Sequence, residues 1–449
     1  MAGAAENAAR GIAMRMIDLI ETKKHGGELT DEEIRFMIRE YVDGRIPDYQ
    51  MSAMTMAIWF QGMTPRETAE LTLAMEHSGD VCDLSAIHGI KVDKHSSGGV
   101  GDKTSIALVP WTAACGAKVA KMSGRGLGFT GGTLDKLESF TGFRAALTTE
   151  EFAEQVNRLG CAIAAQTGDL VPADRKLYAL RDVTATVDSK PLIASSIMSK
   201  KLASGADAIV LDVTCGSGAF MRDLDAAEDL ARTMIDIGRR AGRRICAVIS
   251  NMNEPLGYAV GNILEVQEAI DVLRGEGPAD VTEICYALGS RMLVLSDICP
   301  DVESARSLMK KKLEDGSALA RLADMVQAQG GDPELVWHPE NMPRANLRKE
   351  IAAPQDGVIV RMECDEIGNA SMILGGGRAA REDTIDLTVG LVLSKKIGDT
   401  VKKGETVAVL YANDDRKLAD AEQRFHGAID YAPTGTPAER RPIVLRTLD

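Results

Sequence analysis

The chain has 449 residues, 45% of them apolar, and a formal net charge of -14, enough length to bury a substantial core in two or three domains. An acidic balance of this size excludes the broad basic surface that a nucleic acid or an anionic membrane requires, so any positive field has to be local. The first twenty residues carry Glu6, Arg10, Arg15 and Asp18 among apolar positions and read as an amphipathic helix, neither a signal peptide nor a membrane span. A soluble, cytoplasmic protein is expected. The eight cysteines contain no C-x-x-C pair and the six histidines no H-x-x-x-H or H-E-x-x-H spacing, so reduced core thiols are expected and a zinc site is not.

Residues from about 6 to 77 read as four helices, with capping-box starts at Thr30/Glu33 and Thr64/Glu67 and Pro65 in a first turn. In MSAMTMAIWF the apolar residues Met51, Met54, Met56, Ile58, Trp59 and Phe60 cover more than one face. A helix internal to one subunit and a helix covered by a second subunit both satisfy that pattern. From about residue 80 the rhythm changes to short apolar runs followed by glycine-rich turns and helices. GIKVDKHS, AKVAKMS, CAIAAQ, ADAIVLDVT and RRICAVIS read as strands, with helices over 104–115, 133–140, 149–159 and 224–242. Such alternation predicts a largely parallel sheet whose ligands collect at the carboxyl ends of its strands.

The stretch from 172 to 204 interrupts that rhythm with two helical patterns, YALRD and PLIASSIMSKKLA, and is expected to return to the N-terminal helices. The expected organisation is therefore a helical domain (1–79 and 172–204), a mixed, largely parallel α/β domain across a cleft from it (80–171 and 205–340), and a C-terminal α+β domain (341–449). Clefts between domains favour small ligands. The last domain, with IGDTVKKGETV, resembles the hammerhead fold of lipoyl and biotinyl carriers, but it lacks their MKM or DKA acceptor tripeptide. Lys395 and Lys396 are accordingly read as solvated surface charges, and the domain as structural.

The chemistry concentrates between Lys94 and Glu138, where KHSSGGVGDKTS and KMSGRGLGFTGGTLDKLE flank one apolar segment. Glycines admit backbone amides to an anion, Ser and Thr add hydroxyl donors, and Lys94, Lys121 and Arg125 add charge. GGVG alone is compatible with a simple tight turn; two such loops on consecutive strands argue for a phosphate cradle. Neither loop carries the G-K-[ST] end of a Walker loop or the acid that follows a dinucleotide-binding GxGxxG.

Together with YALRDVTATVDSKPLIASSIMSKK, these motifs resemble the thymidine and pyrimidine-nucleoside phosphorylases, in order along nearly the whole chain, and SGRGLGFTGGTLDKLES matches the family's signature. The resemblance implies a dimerising helical domain, phosphate ligands at Lys94, Ser96, Ser105, Lys121, Ser123 and Thr133, and pyrimidine contacts at Arg181, Ser196 and Lys200. It also implies phosphorolysis of uridine, thymidine and deoxyuridine to a free base and a pentose 1-phosphate. Inorganic phosphate is then a co-substrate and no cofactor is expected. A thymidine-restricted enzyme is the near alternative and an anthranilate-type phosphoribosyltransferase the distant one; the latter needs acidic ligands for magnesium near its loops. Ser196 and Lys200, four apart, share a helix face. His95 stands as a proton donor to the leaving base or as a structural histidine. Taken singly, Arg181 also reads as a salt bridge to Asp182 or Asp188, and Lys200 with Lys201 as a solvated pair. Asp135 and Glu138 are expected to brace Arg125 or cap the loop.

Three positions depart from the family pattern. Phe129 stands where a histidine is usual and Thr214 where a lysine is common. Several bacterial members hold potassium through Gly101, a threonine at position 103 and the positions of Leu256, Ala259 and Glu268; this chain has Lys103. Either its ammonium takes the ion's place beside Glu268 or it points to solvent. No metal is expected, and turnover without potassium follows from the first alternative.

Overall fold

The computed structural model describes residues 14–126, 131–166, 169–378 and 383–449, and the chain divides into two compact units. Unit 1 comprises Met1–Asp83, Thr167–Ala206 and Asp229–Arg244; unit 2 comprises Leu84–Gln166, Asp207–Glu228 and Ile245–Asp449. The return of the 172–204 segment to the N-terminal helices is present in this division. No helix among the described residues is long and apolar enough to cross a membrane.

Unit 1 is built on the helices Met16–Lys24, Asp31–Val42, Asp48–Gln61, Pro65–Glu76, Pro172–Asp182 and Lys190–Ala203. Both expected capping boxes form: Thr30 and Thr64 accept from the amides of Glu33 and Glu67, whose carboxylates reach back to the cap amides, each box contributing on the order of 1 kcal/mol. Leu19, Ile34, Met37, Met51, Met54 and Leu71 pack with Leu177 and Leu192 into one core. Within that core Glu67 meets Lys23 at 2.9 Å and also accepts from the Leu29 and Thr64 amides. Burial would raise its carboxyl, yet those two amides and Lys23 together hold it below the usual range. On Asp48–Gln61 the apolar residues divide: Met51, Met54 and Ile58 are buried, whereas Trp59 and Phe60 are exposed by 43% and 71%.

Unit 2 contains the five strands that the apolar runs predict: β1 (Val92–Ser96), β2 (Val119–Ser123), β3 (Cys161–Ala165), β4 (Ala208–Cys215) and β5 (Arg244–Asn251). β1 pairs parallel with β4, and β2 parallel with β3. A parallel bridge between Lys91 and Lys118 links the two sets. Every residue of β4 is buried, as a strand covered on both faces requires. The helices Thr104–Ala114 and Thr133–Leu137 end slightly earlier than expected, as does Leu224–Arg240, which from Asp229 onward belongs to unit 1 rather than to the expected α/β segment.

The C-terminal part forms antiparallel sheets from β6 (Ala259–Val260), β7 (Leu347–Ala352), β8 (Gly357–Met362), β9 (Gly390–Leu393), β10 (Thr400–Val401), β11 (Thr406–Ala412) and β12 (Ile429–Ala432), ordered β6-β9-β11-β7 and β10-β8-β12. Helices Cys364–Leu374 and Asp415–Gly427 pack together beside them. Two strands cross the boundary expected near residue 340. β6 joins β9 from upstream, and β13 (Val444–Leu448) returns to pair antiparallel with β5.

Candidate active site

In unit 2 both glycine-rich loops meet at a cavity of about 390 Å³. One wall is Ser97, Gly98, Gly99 and Asp102; a second is Gly131, Gly132, Thr133 and Lys136; Ser217, Gly218, Ala219, Phe220, Arg222 and Asp365 complete it. Gly98 and Gly99 have φ of 106° and 152°, a backbone conformation that side-chain-bearing residues rarely adopt, and this reserves the turn for glycine. Ser97 is fixed by Thr214, whose hydroxyl is 2.9 Å from the serine Oγ and whose amide donates to it at 2.9 Å. The unexpected threonine at 214 thus anchors the first loop.

Beneath the loop lies a cluster of buried charge. Lys94, 1% exposed, places Nζ 3.3 Å from Asp212 and 3.6 Å from Asp102. Lys136 donates to the Asp102 carbonyl at 2.9 Å and pairs with Glu265 at 2.6 Å. Burial pushes the Asp102 carboxyl up, but the charges of Lys94 and Lys136 outweigh it and hold that group well below the usual carboxylate range. Asp212, by contrast, is raised by burial more than Lys94 lowers it. Burial opposes the Lys94 ammonium as well, and the two aspartates outweigh it in turn.

The six expected phosphate residues are placed differently from one another. Thr133 lines the cavity. Ser96 accepts the Gly98 amide at 3.3 Å, and Ser105 sits buried in the first turn of helix Thr104–Ala114. Lys121 is buried and donates to the Lys94 carbonyl at 2.6 Å, tying β2 to β1. Ser123 is the half-buried last residue of β2. His95 is half-buried on β1 between Lys94 and Ser96, so strand alternation points it to the opposite face from both.

The second loop is braced as expected and by one residue more. Arg125 pairs with Asp135 at 3.1 Å and with Glu138 at 2.5 Å. Asp135 also accepts the Gly126 and Gly132 amides and a two-pronged contact from Arg378 at 2.9 and 3.0 Å. Burial raises its carboxyl, while Arg378 and the two amides lower it further, to a value below the ordinary one. Phe129 lies outside the described residues.

The positions that the resemblance associates with potassium do not fit an ion here. Nζ of Lys103 stands where the Leu256 and Ala259 carbonyls and the Glu268 carboxylate converge, at 2.6, 2.9 and 2.5 Å.

In unit 1, Arg181 and Lys200 come from the helices Pro172–Asp182 and Lys190–Ala203. Lys200 donates to Asp174 at 2.7 Å and to Ser196 at 3.3 Å, so two of its three N–H groups are engaged. Ser195, the neighbour of Ser196, is bonded on the other side to Thr72 and to the Thr68 carbonyl, which locks that helix to Pro65–Glu76. The Arg181 guanidinium is buried and donates to the carbonyls of Thr186, Val187 and Leu192. It braces the loop after its own helix, where Ala185 adopts φ 54°. Asp188, read as one salt-bridge partner for Arg181, accepts instead from the Trp59 indole at 2.9 Å.

Several site residues escaped sequence reasoning. Asp174 and Tyr178 precede Arg181 by seven and three positions and share its helix face; Tyr178 lies in the YALRD motif and Asp174 four residues before it. Lys136 lies inside the TLDKLE motif. Arg222, which donates to the Ser217 carbonyl and to Asp365, and Arg378 carry no local signal.

Two glycine loops over a buried charge cluster at the ends of parallel strands, in a chain that also carries a helical unit, define an α/β transferase of the anion-binding kind. Residues 88–319 match the model of the glycosyl transferase family a/b domain, residues 17–79 its helical bundle domain, and residues 358–432 the pyrimidine nucleoside phosphorylase C-terminal domain. The chain is 56% identical over 425 residues to pyrimidine-nucleoside phosphorylase of Geobacillus stearothermophilus, covering 95% of this chain and 98% of that one. It is 55% identical over 400 residues to the protein of the same name from Bacillus subtilis (strain 168), covering 89% and 92%. The chain belongs to the pyrimidine-nucleoside phosphorylase family. Among solved structures, anthranilate phosphoribosyltransferase from Thermus thermophilus superposes with a TM-score of 0.56 at 19% identity, over 69% of this chain and 98% of that one; at that identity the likeness is one of fold alone.

Proposed function

We propose that this protein catalyses the reversible phosphorolysis of pyrimidine nucleosides, with uridine, deoxyuridine and thymidine as substrates. The observation that carries the reading is the match to the phosphorylase C-terminal domain together with 56% identity, across 98% of its length, to the Geobacillus stearothermophilus pyrimidine-nucleoside phosphorylase. A phosphate oxygen attacks C1′ from the face opposite the base, the C1′–N1 bond breaks, and its electron pair leaves with the pyrimidine. The products are the free base and an α-pentose 1-phosphate.

Phosphate binds at the glycine-loop cavity, which Gly98, Gly99 and Thr133 line and beneath which Lys94 supplies charge, with Ser96, Ser105, Lys121 and Ser123 completing the family's set. The base binds to Arg181, Ser196 and Lys200. The third N–H of Lys200 and the two unused donors of Arg181 meet the base carbonyl as negative charge develops on it, which favours the transition state over the bound nucleoside. His95 faces away from Lys94 and Ser96 on β1, which favours the structural histidine over the proton donor to the departing base.

The enzyme is cytoplasmic and acts as a homodimer through the helical unit, a reading supported by its eight free cysteines and by the exposed Tyr49, Trp59 and Phe60 on or beside one helix face. Sedimentation at the mass of two chains tests the assembly. Phosphate-dependent release of uracil and thymine from the three nucleosides tests the activity, and no release from any of them overturns it. Release from thymidine with none from uridine assigns the thymidine-restricted activity instead.

A further inference from the structure

Lys103 is the one lysine among the described residues with no measurable exposure, and all three of its N–H groups are matched. Its acceptors are two backbone carbonyls, Leu256 and Ala259, and one carboxylate, Glu268. The pocket is shaped to a single cation. A Cβ on Gly257 would lie 2.1 Å from Glu268 Oε2 and 2.8 Å from Lys103 Nζ, and one on Gly101 would lie 2.6 Å from the Leu256 carbonyl oxygen. Both glycines have positive φ, 70° and 76°. Glu268 is fixed in turn by the Tyr258 and Ala259 amides at 2.9 and 3.2 Å. One carboxylate and neutral carbonyls suit one positive charge; a divalent ion would demand more oxygens and more negative charge.

The location gives this cation a task. Lys103 is the residue before helix Thr104–Ala114, whose first turn holds Ser105, and it ends the loop that begins at Ser97. Its acceptors lie on the 256–259 segment, which leads into β6, and on helix Asn262–Arg274. The Leu256 amide also donates to the Val100 carbonyl. The ammonium therefore fastens the phosphate loop to a second segment at the point where the loop turns into its helix.

We propose that Lys103 is a built-in monovalent cation: a positioning residue that does covalently what potassium does at this place in potassium-holding relatives, making phosphate binding independent of the ion. The inference rests on the phosphorylase reading for its kinetic arm only. Wild-type enzyme is to be compared in potassium, sodium and N-methylglucamine chlorides at constant ionic strength, reading melting temperature and the KM for phosphate; neither is expected to change between cations. Lys103→Thr leaves the carboxylate and carbonyls converging on an empty point. In N-methylglucamine it is expected to melt roughly 5–10 °C lower, with kcat/KM for phosphate down about tenfold and the loss mainly in KM. Potassium or ammonium restores both; lithium does not. Lys103→Met, which fills the same space without charge, is expected to melt low and to stay low in every cation.

Wild-type enzyme whose melting temperature or phosphate KM improves several-fold or by several degrees specifically in potassium overturns the proposal, and this arm stands even if neither variant folds. A Lys103→Thr protein equal to wild type without added cation, or one that no cation restores, overturns it too. Absence of nucleoside cleavage under every condition would refute the phosphorylase reading and leave the melting comparison to decide this one.

Discussion

The glycine loops of unit 2 and the helices of unit 1 that carry Arg181 and Lys200 hold their lysines in opposite ways. Lys94, Lys103, Lys121 and Lys136 are all nearly or wholly buried, each against a carboxylate, a carbonyl or both, so the charge that meets an anion is embedded in a network that folding itself requires. Lys200 has 35% of its side chain exposed and rests on one carboxylate, Asp174, and one hydroxyl. In the first region both members of each pair are buried or nearly so, so charge and stability cannot be separated; in the second only Asp174 is buried and the lysine is partly exposed, so the coupling is weaker. Buried ion pairs contribute little net stability when complete, but breaking one leaves an uncompensated charge.

The largest effect is accordingly expected at Lys94. Lys94→Met leaves Asp102 and Asp212 facing each other without their shared cation, and a loss of about 3–5 kcal/mol is expected by urea unfolding, along with phosphorolysis. A variant of wild-type stability that merely binds phosphate poorly would erase the contrast between the two regions. Next comes Lys200→Ala, for which kcat/KM should fall about 10²–10³-fold while stability falls less than in Lys94→Met, because one buried carboxylate, Asp174, loses its partner rather than two. Near-normal kcat/KM would remove Lys200 from the site. Asp174→Asn keeps the Lys200 charge and weakens its hold, so a smaller loss, about tenfold and mostly in kcat, is expected; an effect as large as that of Lys200→Ala would give Asp174 a role beyond orientation.

What the sequence disclosed follows from the range of the interactions. The boxes at Thr30 and Thr64 span three residues, and the i, i+4 pair Ser196–Lys200 spans four, so both are local and legible. The glycine loops are legible from composition, because only an approach of backbone to ligand or to another chain segment calls for so many glycines in so short a stretch. Lys103 was legible only as a pair of alternatives, since burial decides between them and burial is tertiary. The same holds for Lys121, whose ammonium bonds the backbone of the adjacent strand, and for Arg181, whose guanidinium braces carbonyls five to eleven residues away. Arg378 reaches Asp135 across 243 residues, and β13 returns to β5 from the end of the chain; no local pattern encodes either. An edge strand of five residues with only intermediate and exposed positions has no apolar run to announce it.

Arg378 supplies the smallest effect, one that depends on pH. Asp135 titrates lower in the folded protein than in the unfolded chain. Its contribution to stability is therefore complete above the unfolded value, near 4, and is lost as the pH falls through the lower folded value. Arg378→Met removes one cause of the lowering and leaves the Gly126 and Gly132 amides in place. The variant should be less stable than wild type at pH 7, by about 1–2 kcal/mol, and the gap should narrow as the pH is taken below the unfolded value near 4, because a protonated Asp135 gains little from a guanidinium. Urea midpoints measured between pH 3 and 7 check this. A gap that stays constant would mean that Arg378 acts by packing rather than by charge on the second glycine loop.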